Sequence, residues 1–128
     1  MANELILIIE DNEKNRKLAR DVLQVKGYQT IESETAKEGL RLALEQSPAL
    51  ILMDIQLPGI DGITALKQLR ADPKTKSISV IAITASAMTH NRQTMLAEGF
   101  DGYQTKPITL KDFLEEVRRV LDLKDRKG

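Results

Sequence analysis

Apolar residues in this chain fall either into short unbroken runs or into helical spacing. Leu50-Ile51-Leu52-Met53 is the clearest run. Four large apolar residues without polar alternation predict a strand buried on both faces, as in a parallel sheet covered by helices. Asp54 follows at once, and the chain then breaks at Pro58-Gly59 and again at Asp61-Gly62. Leu5 to Ile9 and Ile78 to Ile83 are two more such runs, and Tyr28 to Ile31 and Gly102 to Gln104 read as shorter strands.

Between these runs the period changes. Leu18, Val22, Leu23 and Val25 predict a helix over Asn15 to Lys26, closed by Gly27. Thr35 with Glu38 makes a capping box ahead of Ala36, Leu40, Ala43 and Leu44, and Ser47-Pro48 ends that helix. Gly62 leads into a third helix with Ile63, Leu66 and Leu69 inward, ended before Pro73 and followed by a polar loop from Asp72 to Ser77. Thr89 to Glu98 reads as a weaker helix, with Met88, Met95 and Leu96 as its large apolar residues and Gly99 after it. Thr109 to Leu121 is strongly amphipathic through Phe113, Leu114, Val117, Val120 and Leu121. From Lys124 the chain is polar and is expected to fray.

Five strands alternating with five helices predict an α/β fold, a doubly wound and mostly parallel sheet with right-handed crossovers. Residues 1–123 are expected to form one domain and 124–128 a polar tail, with no repeat, linker or output domain. In a flavodoxin-like strand order, 2-1-3-4-5, the first and third strands flank the switch point where ligands bind.

Composition narrows the partners. The chain has 128 residues, with 19 Lys+Arg against 19 Asp+Glu and 3% aromatics. It lacks both the basic excess and the stacking surface of a nucleic-acid binder. Cysteine is absent, which excludes disulfides and thiolate metal sites. Met1-Ala2-Asn3-Glu4 carries no basic leader and Leu5 to Ile9 is too short to span a membrane, so a cytoplasmic location without membrane insertion is expected.

Four of the five strands end in polar groups: Glu10 and Asp11, Asp54, Thr84, and Lys106. Each alone could be an ordinary strand end. Together, across one crevice, the three carboxylates repel unless a cation joins them. With no His or Cys in position, a hard oxygen-seeking ion is implied, and Mg²⁺ takes one or two carboxylates, keeps waters and shares a phosphate. Three acids and Lys106 leave a charge that one Mg²⁺ cancels, so the pocket can accept a phosphoryl group. Asp54 is then either a metal ligand or the nucleophile that takes phosphate.

The acid pair Glu10-Asp11, Asp54 after its apolar strand, Thr84-Ala85 and Lys106-Pro107 agree in order and spacing with one family. Over its whole length the chain resembles the receiver domain of two-component response regulators. The resemblance implies a phosphoacceptor in phosphorelay signalling, with no enzymatic activity beyond its own phosphorylation and dephosphorylation. Asp54 would take a phosphoryl group from a histidine kinase or a histidine phosphotransfer protein. Asp11, Asp54 and the Gln56 carbonyl would hold Mg²⁺, with Glu10 acting through water. Lys106, Thr84 and Ala85 would contact the phosphoryl oxygens. Thr84 and Tyr103 would form the switch, Pro107 would follow a cis bond, and Gln56 and Ser86 would tune dephosphorylation. A downstream protein would dock on the face made by the fourth helix, last strand and last helix.

Other readings use similar parts. A haloacid-dehalogenase-like phosphatase wants an aspartate two residues after its nucleophile, where this chain has Gln56. A flavodoxin-type FMN carrier needs a phosphate-cradling loop after the first strand, where Glu10-Asp11-Asn12-Glu13 would repel phosphate. A receiver module of a hybrid-kinase relay, or a receiver used only for docking, would share the fold. His90, the single histidine, reads as an exposed helix residue with no role.

Overall fold

The unbroken apolar runs become the inner strands because each presents side chains to two helical layers. The computed structural model describes residues 3–127. Its elements are β1 (Leu5–Ile9), α1 (Glu13–Val25), β2 (Gln29–Ser33), α2 (Ala36–Gln46), β3 (Leu50–Asp54), α3 (Gly62–Ala71), β4 (Ser79–Thr84), α4 (Arg92–Glu98), β5 (Gly102–Thr105) and α5 (Leu110–Lys127). The five strands are parallel in the order β2-β1-β3-β4-β5.

Strand alternation divides the core. Leu7, Ile9, Ile51, Met53, Val80 and Ala82 pack against Ala36, Ala43, Leu66, Leu69 and Met95 from α2, α3 and α4. Ile6, Ile8, Leu50, Leu52, Ile81 and Ile83 pack on the other face against Leu23 of α1 and Phe113, Val117 and Val120 of α5. Every residue of β3 and β4 is buried, which is why neither alternates.

Several expected boundaries move, each for a local reason. The first helix starts at Glu13, two residues before the expected Asn15, because the Asn12 side chain caps it by accepting from Asn15 N at 2.9 Å. The fourth helix starts at Arg92 and not Thr89, since Asn91 is the cap and residues 87–89 form a turn. β2 slides to Gln29–Ser33, where it pairs with β1 from Leu5↔Gln29 to Ile9↔Ser33. The last helix passes the expected end at Leu121 and runs on through the polar segment from Lys124 to Lys127, because no Gly or Pro interrupts it. Gly128, the end of the expected tail, lies outside the described residues. Val25 and Met88 are 84% and 97% exposed, so neither belongs to the inward stripe that spacing alone suggested. Leu18, Leu44 and Leu96 are exposed to a lesser degree, at 43%, 43% and 40%.

Among the described residues no helix is long and apolar enough to cross a membrane.

Candidate functional site

The site lies where β1, β3, β4 and β5 run out at one edge of the sheet. Glu10 follows β1 and is held by its own backbone, with its N–H on the Ser33 carbonyl at 3.0 Å and its carbonyl accepting from Arg16 Nη1 at 2.9 Å. Asp54 closes β3 and is buried. Its Oδ1 accepts from Gln56 N at 2.9 Å, and the next peptide is fixed by Ile55 N on the Ile83 carbonyl at 3.0 Å. Gly62 matters here because of close approach. A Cβ at that position would come within 2.6 Å of the Asp54 carbonyl oxygen and 2.8 Å of Ile55 Cα. The start of α3 can therefore press against the backbone that carries Asp54 only as glycine.

Lys106 comes from the segment after β5, steered by its N–H on the Thr84 carbonyl at 2.8 Å. The Lys106-Pro107 bond is cis. The ammonium sits between the acids, 2.8 Å from Glu10 Oε1 and 2.9 Å from Asp54 Oδ2.

Glu10, Asp11 and Asp54 each offer a carboxylate oxygen, all within 4.8 Å of one another, with Asp11 exposed and the other two buried. Burial, with Asp54 beside it, pushes the Glu10 carboxyl up to about 7, although Lys106 and the Asn12 N–H pull it back. Burial would lower the Lys106 ammonium, but Glu10 and Asp54 outweigh it and hold it above its ordinary value. The cluster thus carries more negative charge than Lys106 relieves. An all-oxygen donor set with surplus negative charge fits a hard divalent cation such as Mg²⁺.

Thr84 is buried at the end of β4, and its Oγ1 accepts from Ser86 N at 3.0 Å. Ala85 and the Gln56 side chain are exposed and Ser86 is half-buried at the rim. Tyr103 lies on β5 opposite Ala82, two residues back from the strand ends, already buried, its hydroxyl donating to the His90 carbonyl at 2.7 Å. The structure therefore corrects the reading of His90, which sits in the half-exposed turn before α4 and holds Tyr103 through its backbone. Sequence reasoning also missed Arg16, which ties Glu10 to Glu32 at 3.2 Å. Its one signal was a cation one turn into the helix that follows the acids.

The response regulator receiver domain matches residues 6–118, and the chain belongs to that family. It is a receiver domain of two-component signalling, similar to the polar-differentiation response regulator DivK of Brucella ovis. The identity to that protein is 42% over 116 residues, 91% of this chain and 94% of the relative. Among the solved structures that share the fold are two receivers. The receiver domain of a sensor histidine kinase from Pseudomonas aeruginosa PAO1 is 30% identical with a TM-score of 0.86, covering 94% of this chain and 99% of that one. That structure holds a magnesium ion in its active-site cleft. A CheY-like receiver protein from Methanospirillum hungatei is 28% identical with a TM-score of 0.89, covering 99% of this chain and 100% of its own. The flavodoxin-like order expected from sequence is the order found.

Proposed function

We propose that Asp54 is the phosphoacceptor of a receiver domain spanning residues 1–123, charged by a histidine kinase or a histidine phosphotransfer protein. The observation that carries this is the buried Asp54 carboxylate bracketed by Gln56 N–H at 2.9 Å and Lys106 Nζ at 2.9 Å. Those two donors orient the carboxylate and counter the charge of incoming phosphoryl oxygens. An Asp54 oxygen attacks phosphorus, the P–N bond of the donor phosphohistidine breaks, and the imidazole leaves with its electron pair. Mg²⁺, held by Asp11, Asp54 and the Gln56 carbonyl with Glu10 acting through water, would supply charge neutralisation for the transferred group. Lys106 contacts a phosphoryl oxygen, and the Thr84 hydroxyl and Ala85 N–H engage the others.

The same contacts support a switch. Turning the Thr84 hydroxyl to phosphate gives up its bond from Ser86 N. Ser86 in turn accepts from His90 N at 2.8 Å, and His90 accepts from Tyr103. Phosphate favours one of two arrangements through contacts made only there. The α4-β5-α5 face is the surface offered to a downstream protein. Gln56 and Ser86 border the path of hydrolytic water and neither is a general base, which supports a long-lived phosphoprotein.

Incubation with acetyl phosphate and Mg²⁺, followed by intact-mass measurement, tests the reading. One phosphoryl group should appear, and EDTA or Asp54→Asn should abolish it. Labelling that ignores both changes overturns the assignment.

A further inference from the structure

β5 is an edge strand, paired only with β4, so Tyr103 turns one N–H and one C=O away from the sheet. Both are satisfied by the two halves of a single ion pair. Glu116 of α5 accepts from Tyr103 N at 2.7 Å, and Arg92, the first residue of α4, donates to the Tyr103 carbonyl at 3.3 Å. Arg92 and Glu116 are themselves 3.3 Å apart, and the guanidinium lies 5.6 Å from the centroid of the Tyr103 ring. Gly102 makes the approach possible, since a Cβ there would meet Glu116 Oε2 at 2.8 Å.

The two halves are not equivalent. Glu116 is buried and keeps Arg119 at 2.9 Å whatever α4 does. Burial alone would push its carboxyl up, but Arg119, the Tyr103 N–H and Arg92 hold it below the ordinary glutamate value. Arg92 is 48% exposed at its side chain and makes only long contacts, so water can replace them at small cost.

We propose that Arg92 is the releasing half of a clasp that holds the start of α4 against β5 and α5 in the unphosphorylated protein. Any shift of the β4–α4 segment must open it. The clasp joins the bonds from Thr84 through Ser86 and His90 to Tyr103, so the anchor of α4 lies at the far end of a continuous chain from Thr84, the hydroxyl proposed to turn to phosphate. The inference rests on the proposed switch surface. Removing Arg92 weakens the resting arrangement while leaving the Asp54 pocket intact.

The test follows backbone amide NMR shifts from Ala87 to Tyr103 during titration with beryllofluoride, a phosphoryl mimic, in Mg²⁺. Wild type, Arg92→Gln, Arg92→Lys and, as a control, Arg41→Gln are compared; Arg41 makes its ion pairs with Glu38 and Glu45 on α2. Without beryllofluoride, the Arg92→Gln amides should lie part-way along the line from the resting to the saturated wild type. Half-saturation should fall by about two- to fivefold, the range a half-exposed ion pair supports. Arg92→Lys, which keeps the charge but lacks the planar fork that gives one N–H group to Glu116 and another to the Tyr103 carbonyl, should fall between, and Arg41→Gln should match wild type. Resting shifts and half-saturation unchanged in Arg92→Gln, or binding that weakens, overturn the clasp. A wild type whose Ala87–Tyr103 amides ignore beryllofluoride removes the switch surface and the clasp with it, while phosphorylation at Asp54 stands on its own mass measurement.

Discussion

Lys106 and Asp54 are 52 residues apart in the chain, yet the lysine Nζ lies 2.9 Å from the aspartate Oδ2. The same ammonium is 2.8 Å from Glu10 Oε1. The site is thus assembled with its negative charges partly neutralised before any cation or phosphoryl group arrives.

Substituting Lys106 by Met leaves two buried carboxylates without their shared partner. Breaking a fully buried pair costs about 3–5 kcal/mol. The lysine side chain is 17% exposed, so part of that cost is screened. Without divalent cation, Lys106→Met should lose about 1–3 kcal/mol in urea denaturation, and Mg²⁺ should restore more stability to the variant than to wild type. Equal stability of the two proteins in EDTA would show that the ammonium does not neutralise the pair.

Mg²⁺ affinity should depend on Asp11 more than on Glu10, and on pH. Glu10 titrates near 7 without metal because burial disfavours its charged form. A cation favours that charged form, so binding below this value must release a proton, and affinity should rise as pH rises. Between pH 6 and 8 the gain should reach up to about tenfold for one coupled proton. NMR titration of wild type, Glu10→Gln and Asp11→Asn at both pH values is the check. The pH dependence should flatten in Glu10→Gln, and the largest affinity loss should fall on Asp11→Asn. Asp11→Asn binding as tightly as wild type would remove its role as a direct ligand.

Gly62→Ala should destabilise the protein although it adds one methyl group. The new Cβ meets Asp54 O and Ile55 Cα, both backbone, at 2.6 and 2.8 Å. Backbone cannot swing aside as a side chain can, and overpacking of this kind costs about 1–3 kcal/mol. Thermal or urea unfolding measures the loss. A variant as stable as wild type would mean that α3 does not press on the phosphoacceptor strand as described.

Much of this was legible in the sequence because the decisive signals are local. Leu50 to Met53 has no polar alternation because both faces of β3 are covered, and Glu10, Asp11, Asp54 and Thr84 announce themselves by ending or following such runs, while Lys106 is marked by the Pro107 after it. The start of α4 was not legible. Thr89 and Asn91 can both cap a helix, and only the Asn91 side chain, accepting from Thr94 N at 2.9 Å, decides between them. The Arg92–Glu116 pair was invisible for a different reason. Its partners are 24 residues apart on separate helices, and no spacing rule links them. Val25 and Met88 misled because apolar spacing identifies candidates for burial without revealing which face meets the sheet.

The most direct measurement is chemical location of the phosphoryl group. Borohydride reduces an aspartyl phosphate to homoserine and leaves free carboxylates untouched. Protein treated with acetyl phosphate and Mg²⁺, reduced, digested and sequenced by mass spectrometry should carry homoserine at position 54. The signal should vanish in EDTA. Homoserine at Asp11 or Asp61, or at position 54 irrespective of Mg²⁺, would contradict the assignment of Asp54 as the acceptor in a cation-assisted site.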